Sequence, residues 1–331
     1  MFKQIFSKLN WFSRKSENIP ETIIDKVKTN ISEIIGNRDE LEKLFLIEKR
    51  RRGVKEDKLI FIGMANVAGY YWCAMKSLFE NKKNELVFFA SYLEDRILYS
   101  FNLGFIDKLT GSKEKLLEIG EKITFDDIER LLRERSKEDQ NSKVNISLDA
   151  ETITDEHGNK VMVINPDLSL DEKLYCEKQA KVEGIPVRSP EEFPLIRGKL
   201  LETTRKEKYP TIRWNFNWND YVVVGVPDGI TESFVYEFKT TRNKFLMSYL
   251  KPVALLQADL YGYFFRRKEK RVQIYIVEEK TTKTLNEQVN SKKVINVLEN
   301  FNKIDNGWMP IPPKQWKCKS CEFKEICQLT K

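Results

Sequence analysis

Tyr221-Val-Val-Val-Gly-Val-Pro-Asp228-Gly-Ile230, followed after a turn by Phe234-Val-Tyr-Glu237-Phe-Lys239-Thr-Thr241, is the stretch on which the reading of the chain turns. Both runs have strand composition, and they carry an acid at the end of the first and an acid-x-lysine in the second. Side chains two apart in a strand share a face, so Glu237 and Lys239 project together while Tyr236, Phe238 and Thr240 face the other way. Asp228 joins them across the hairpin. A Glu-x-Lys on a strand is commonly a solvated charge pair. Here three valines precede Gly225 and aromatic residues flank Glu237, which predicts strands buried on at least one face. Charges in such a setting are costly unless they are paired or bind metal. Oxygen ligands suit Mg²⁺ or Mn²⁺, and a neighbouring ammonium can hold an attacking water or developing phosphate charge. The chemistry expected is phosphodiester hydrolysis.

Working outward, the 331 residues suffice for one large α/β domain with additions or for two domains. The 57 basic and 50 acidic residues give a formal charge of +7, an excess that favours phosphate partners without requiring them. No apolar run approaches a membrane span and no signal-peptide pattern is present, so a cytoplasmic location is expected. Residues 1–57 are expected to form a helical extension. Phe2, Ile5, Phe6 and Leu9 make a stripe suited to packing on protein rather than on a membrane surface, and helices are expected over Ile23–Ile35 and Arg38–Arg52. The run Lys49-Arg-Arg-Arg52 reads either as a solvated helix end or as a phosphate contact.

Leu59–Ile62 reads as a strand, followed by helical spacing through Val67, Tyr70, Tyr71 and Phe79 around Cys73. Three cysteines in Cys318-Lys-Ser-Cys321-Glu-Phe-Lys-Glu-Ile-Cys327, in a chain expected to be cytoplasmic, point to a metal or cluster rather than a disulfide. The fourth ligand is Cys73 or Cys176, since His157, the single histidine, lies in a polar turn. Four thiolates serve zinc or an iron–sulfur cluster equally on ligand count.

Between Cys73 and Gly198, helices are expected over Glu94–Phe105, Lys113–Ile123 and Thr124–Arg135. A polar loop is expected over Ser136–Lys143, and a hairpin over Val144–Pro166. Further on, Gln257 and Tyr261 share one helical face. A basic turn runs from Phe264-Phe-Arg-Arg-Lys268 through Lys270-Arg271, suited either to phosphates or to a helix C-terminus. A strand is expected over Val272–Val277 and a helix over Thr284–Asn302.

The combination of Cys73 in an aromatic segment, Asp228, Glu237-x-Lys239, Gln257-x₃-Tyr261 and the closing Cys-x₂-Cys-x₅-Cys resembles the RecB-like branch of the PD-(D/E)xK nucleases. More narrowly it resembles the CRISPR-associated protein 4 family. The resemblance covers about 59–74 and 194–327. It implies an α/β restriction-endonuclease-like core, a mixed central sheet flanked by helices, and a C-terminal iron–sulfur segment at 316–327. The nuclease domain is then expected over 58–331, with an insertion at about 94–190.

The resemblance further implies Asp228 and Glu237 as Mg²⁺ or Mn²⁺ ligands, Lys239 as the catalytic lysine, and Gln257 and Tyr261 as motif residues reaching toward DNA or the site. It implies Cys73, Cys318, Cys321 and Cys327 on a [4Fe–4S] cluster, with Cys73 ahead of Cys176. The chain departs from that family at Gly198-Lys-Leu-Leu-Glu202, where glutamate stands for the motif histidine, and at Cys73-Ala-Met. Glutamate at this helix position serves as a metal ligand elsewhere in the superfamily, which places Glu202 in the site.

The expected function is a metal-dependent DNase on single-stranded or end-exposed DNA. Protein partners in a DNA-processing or CRISPR adaptation complex are expected with it. A DNA-binding adaptor of the same fold and a zinc-stapled structural protein are the other two readings. Without metal the clustered acids are expected to repel, so that removing one raises the stability of the metal-free protein.

Overall fold

The computed structural model describes residues 36–55, 57–102, 123–139 and 149–330. The expected helices at 1–35 and at 113–122 lie outside the described residues. In chain order the elements are α1 (Arg38–Arg51), β1 (Phe61–Gly63), α2 (Met64–Ala68), α3 (Ala74–Asn102), α4 (Phe125–Asp139), β2 (Ala150–Thr154) and β3 (Lys160–Ile164). Next come α5 (Leu170–Val182), β4 (Val187–Arg188), α6 (Pro194–Arg205), β5 (Trp214–Trp218), β6 (Tyr221–Gly225), β7 (Gly229–Ile230) and β8 (Phe234–Thr241). Last are α7 (Lys244–Phe264), β9 (Glu269–Ile276), β10 (Thr281–Gln288), α8 (Ser291–Asp305) and α9 (Gln315–Lys319). The class is mixed α/β. Among the described residues no helix is long and apolar enough to cross a membrane.

The chain divides into two compact units. One takes the described residues of Met1–Arg133 with Arg213–Val226 and Val297–Lys331; the other takes Glu134–Ile212 and Pro227–Asn296. In place of one central sheet, the described strands form three: β1-β6-β5, β10-β9-β8-β7 and β2-β3-β4. Separation occurs at Val226-Pro227, where the valine run ends. Proline has no N–H to donate to a ladder, so β6 stops and the chain leaves one unit for the other.

In the first unit, β6 runs parallel to β1 and antiparallel to β5, and all five of its residues are buried. N–H groups of β1 and of Ile60 just before it are satisfied by α3. Glu85 Oε1 accepts from Ile60 N at 2.7 Å, and Asn81 Oδ1 accepts from Gly63 N at 2.9 Å. These side chains close an otherwise exposed sheet edge.

The helix α1 packs into this core. Asn37 caps it by accepting from Glu40 N, and Leu41 and Leu44 pack with Phe61, Phe89, Tyr92 and Val222. Burying each leucine contributes about 1.5–3 kcal/mol. The basic run at the end of α1 makes contacts within the protein: Arg51 and Arg52 pair with Glu48, and the buried Lys49 donates to Lys58 O at 2.7 Å, while Arg50 and Arg51 are exposed.

In the second unit, β8 and β9 are parallel and joined by α7, while β7 and β10 add antiparallel edges. The expected hairpin forms as β2–β3. Three local expectations are corrected. Residues 136–139 are helical and continue α4. Residues 284–288 are strand, since Thr281–Gln288 completes a hairpin with β9 through a turn in which Lys280 takes φ +50. The basic turn narrows to 265–268: Lys270 is buried against Asp259 at 2.6 Å, and Arg271 pairs with Glu207 at 2.8 Å.

Candidate metal centre and cysteine cavity

Close packing of α6 on β8 builds the acidic site. A Cβ at Gly198 would lie 3.0 Å from Thr240 Oγ1, so glycine lets the helix approach the strand and sets Glu202 one turn further along it. On the other side, Gly229 meets the Tyr209 side chain closely enough that a Cβ there would collide. This brings β7 beside β8, with Gly229 opposite Tyr236. Asp228, just before β7, then reaches across the hairpin, and its Oδ2 accepts from Phe238 N at 2.8 Å.

Glu237 is 1% exposed, and neither of its oxygens has an aligned hydrogen-bond donor. Lys239 Nζ stands 2.5 Å from Glu237 Oε1 as an ion pair. Burial pushes the Glu237 carboxyl up to about 8; Lys239 opposes the rise and Asp228 adds to it. For Lys239 burial disfavours the charge, but Glu237, Asp228 and Glu202 outweigh it and hold the ammonium above its usual value.

Gln257 and Tyr261, four residues apart on α7, are both buried, and Gln257 Nε2 donates to the Tyr261 hydroxyl at 3.1 Å. Burial, and after it the Glu237 charge, raises the Tyr261 hydroxyl well above the ordinary range. This pair forms an interior wall beside Glu237 rather than an outward-reaching arm.

One residue that sequence reading missed completes the centre. Lys206, at the end of α6, donates to Glu202 Oε1 and to Asp228 Oδ1, each at 2.8 Å. Its four-residue offset from Glu202 was the available signal. Lys206 and Lys239 stand against the charges of Glu202, Asp228 and Glu237, while Asp228 still raises the Glu237 carboxyl by like-charge repulsion. Among the described residues no group of three His, Cys, Asp or Glu side chains forms a ready metal-binding set. At this site lysine nitrogens stand against the carboxylate oxygens.

The donor set nonetheless suits a hard divalent cation. A buried carboxylate ion-paired through one oxygen keeps further lone pairs that such an ion can take.

The cysteines are placed differently. Cys73, Cys318, Cys321 and Cys327 line one cavity together with Trp72 and Phe323. Cys73 lies between a 3₁₀ turn at Gly69–Tyr71 and the start of α3, so the continuous helical reading of this stretch is corrected. From that position its sulfur accepts from the N–H groups of Met75 and Lys76. Burial raises the Cys73 thiol against those donors, with Cys327 and Cys318 adding to the rise.

The C-terminal segment is docked by Trp316 against Trp72 and Phe323 against Phe79, and by Lys317 Nζ donating to Trp72 O at 2.9 Å. Cys176 belongs to the other unit, buried in a small cluster with Met162, Ile164 and Ala180.

Residues 181–328 match the family model described as the PD-(D/E)XK nuclease superfamily. The matched span includes Glu202, Asp228, Glu237 and Lys239 and the three C-terminal cysteines; Cys73 lies before it.

Among solved structures, the chain is similar to the protein titled "Crystal structure of SSO0001", at 17% identity over 62% of this chain and 97% of that one, with a TM-score of 0.33. It is also similar to an alkaline exonuclease from Laribacter hongkongensis, at 12% identity over 42% of this chain and 81% of that one, with a TM-score of 0.26. No curated protein matches.

Proposed function

We propose that the protein is a divalent-metal-dependent DNA nuclease whose centre is Asp228, Glu237 and Glu202 with Lys239. The observation that carries this reading is Glu237: a carboxylate 1% exposed, without aligned hydrogen-bond donors, beside a lysine and across a hairpin from a second acid. Beside a match to a nuclease superfamily, that arrangement is explained by a cation and a phosphate more simply than by stability, because the desolvation cost of a buried ion pair commonly exceeds what the pair returns.

Mg²⁺ or Mn²⁺ held by the three acids supplies Lewis-acid polarisation of the phosphate and lowers the pKa of a bound water. The protein groups do the rest. Phe238 N fixes one Asp228 oxygen and leaves the other directed at the site. Lys239 orients the attacking water and offsets charge developing on the phosphate. The Gln257–Tyr261 pair keeps solvent from behind Glu237, so the carboxylate stays in a poorly hydrated setting where its interactions are strong.

In the same reading Cys73, Cys318, Cys321 and Cys327 hold a [4Fe–4S] cluster that staples the C-terminal segment. The supporting observation is that all four line one cavity, with Cys73 at a helix N-terminus suited to an anionic cluster.

The test is cleavage of single- and double-stranded DNA with Mg²⁺ or Mn²⁺ by wild type and Lys239→Ala. The expected result is metal-dependent cleavage reduced about a hundredfold or more in the variant. Absence of cleavage by the wild type, or equal rates in the two proteins, overturns the reading.

A further inference from the structure

Lys206 is the charged residue at the acidic centre to which neither the superfamily signature nor the chemistry above gives a task. Its ammonium stands 2.8 Å from Asp228 Oδ1 and 2.8 Å from Glu202 Oε1, bridging an acid from the β7–β8 hairpin and an acid from α6. The root of its side chain is fixed. The next residue, Glu207, donates its N–H to the Tyr236 hydroxyl at 3.1 Å, and its carboxylate accepts from Arg271 Nη2 at 2.8 Å and Gln273 Nε2 at 2.6 Å. With the backbone tied to β8 and β9, the ammonium moves by side-chain rotation alone.

An ammonium at hydrogen-bond distance from two carboxylates takes the lone pairs that a hard cation needs. It also keeps the two acids close while no cation is present, which a pair of unscreened carboxylates does not do by itself. Burial works against its charge, but Asp228 and Glu202 outweigh that cost.

We propose that Lys206 is a tethered counter-cation, holding Asp228 and Glu202 together in the metal-free protein and exchanged for the divalent ion when the centre loads. The inference rests on the assignment of Asp228 and Glu202 as metal ligands. Loading then includes breaking two ion pairs, so the wild-type centre binds metal more weakly than its three acids alone would. Two ion pairs of this exposure correspond to roughly a tenfold change in an equilibrium constant.

The experiment titrates full-length protein with Mn²⁺ by calorimetry, together with thermal melts with and without Mn²⁺; no cleavage is measured. The proteins are wild type, Lys206→Met, Lys208→Met and Asp228→Ala. Lys208, exposed and two residues along, controls for loss of one positive charge. Lys206→Met is expected to bind Mn²⁺ about tenfold more tightly, to melt lower without metal and to gain more from Mn²⁺, whereas Lys208→Met stays within about twofold of wild type.

Should Lys206→Met not fold, Lys206→Gln keeps a neutral donor at similar reach, and tighter Mn²⁺ binding is again expected. Affinity in the Lys206 variants equal to or weaker than wild type, or a gain matched by Lys208→Met, overturns the exchange while leaving the metal centre standing. Unchanged Mn²⁺ binding in Asp228→Ala overturns the assignment of the centre itself, and the exchange with it.

Discussion

The acidic centre and the cysteine cavity answer the same physical problem in opposite ways. In the centre every acid is met by a cation of the protein: Lys206 spans Glu202 and Asp228, and Lys239 stands at Glu237. Those residues come from α6, β8 and the turn before β7, elements held by a packed sheet. The cavity gathers four cysteines at the edge of a short segment docked by aromatic contacts, by Lys317 and by the Lys83–Glu322 ion pair. The difference teaches that the first site is pre-organised by the fold, with two lysines already placed at its three acids. The second has little with which to organise itself until something bonds its sulfurs.

The largest effect expected is on the centre. Asp228→Ala and Glu237→Ala should each lower metal-dependent cleavage by about a thousandfold, with circular dichroism unchanged. Asp228→Ala also removes the acceptor of Phe238 N and leaves Lys206 with one partner, so it should melt lower than wild type without metal. A rise in melting temperature would show that repulsion outweighs those bonds. Glu202 is the most exposed of the three acids, with 42% of its side chain accessible, and Glu202→Ala should cost only about tenfold in cleavage.

For the cavity the effect falls on stability. Serine at Cys73, Cys318, Cys321 or Cys327 should bleach a brown, anaerobically purified protein and lower its melting temperature by roughly 5 °C or more, loosening the C-terminal segment first. Cys176→Ser, in its separate apolar cluster, should keep the colour and melt lower by about 2–4 °C. A colourless wild type containing stoichiometric zinc would replace the cluster with a zinc staple and leave the acidic centre untouched.

The smallest effect concerns protons. The folded pKa of Glu237 is about 8 against an ordinary 4.5, so the folded state holds this proton more tightly than the unfolded chain. Its contribution to stability is present in full below about pH 4.5 and is lost as pH rises through about 8. In chelator, the melting temperature should therefore decline over that window more steeply for wild type than for Glu237→Gln, as differential scanning fluorimetry would read.

How much of this was legible beforehand varies with the range of the interaction. The Glu237-x-Lys239 pair follows from strand periodicity alone, because residues two apart share a face wherever the strand sits. The Asp228 position followed from the hairpin, and the Gln257–Tyr261 contact from helical spacing. The division into three sheets did not follow, although Pro227 marked the break. An unpaired strand is compatible with several partners, and register is chosen by whichever buried face fits. The strand at Thr281–Gln288 was misread as helix for a related reason: its residues are almost all exposed, so no apolar period marks it and only pairing with β9 makes it a strand.

Charge roles were the least legible. The sequence by itself determined an α/β chain, the acid-lysine pair in an apolar setting and the spacing of three cysteines, since each is set by local geometry. Tertiary structure alone decided that Lys49, Arg51, Arg52, Lys270 and Arg271 have partners within the protein, and that Lys206 stands between Glu202 and Asp228. It also put Cys73 on the cavity of the C-terminal cysteines and Cys176 in another cluster. A lysine or cysteine carries the same chemistry wherever it falls in the chain. What it does depends on which group the fold brings within about 3–4 Å, and that distance is fixed by packing between segments far apart in sequence.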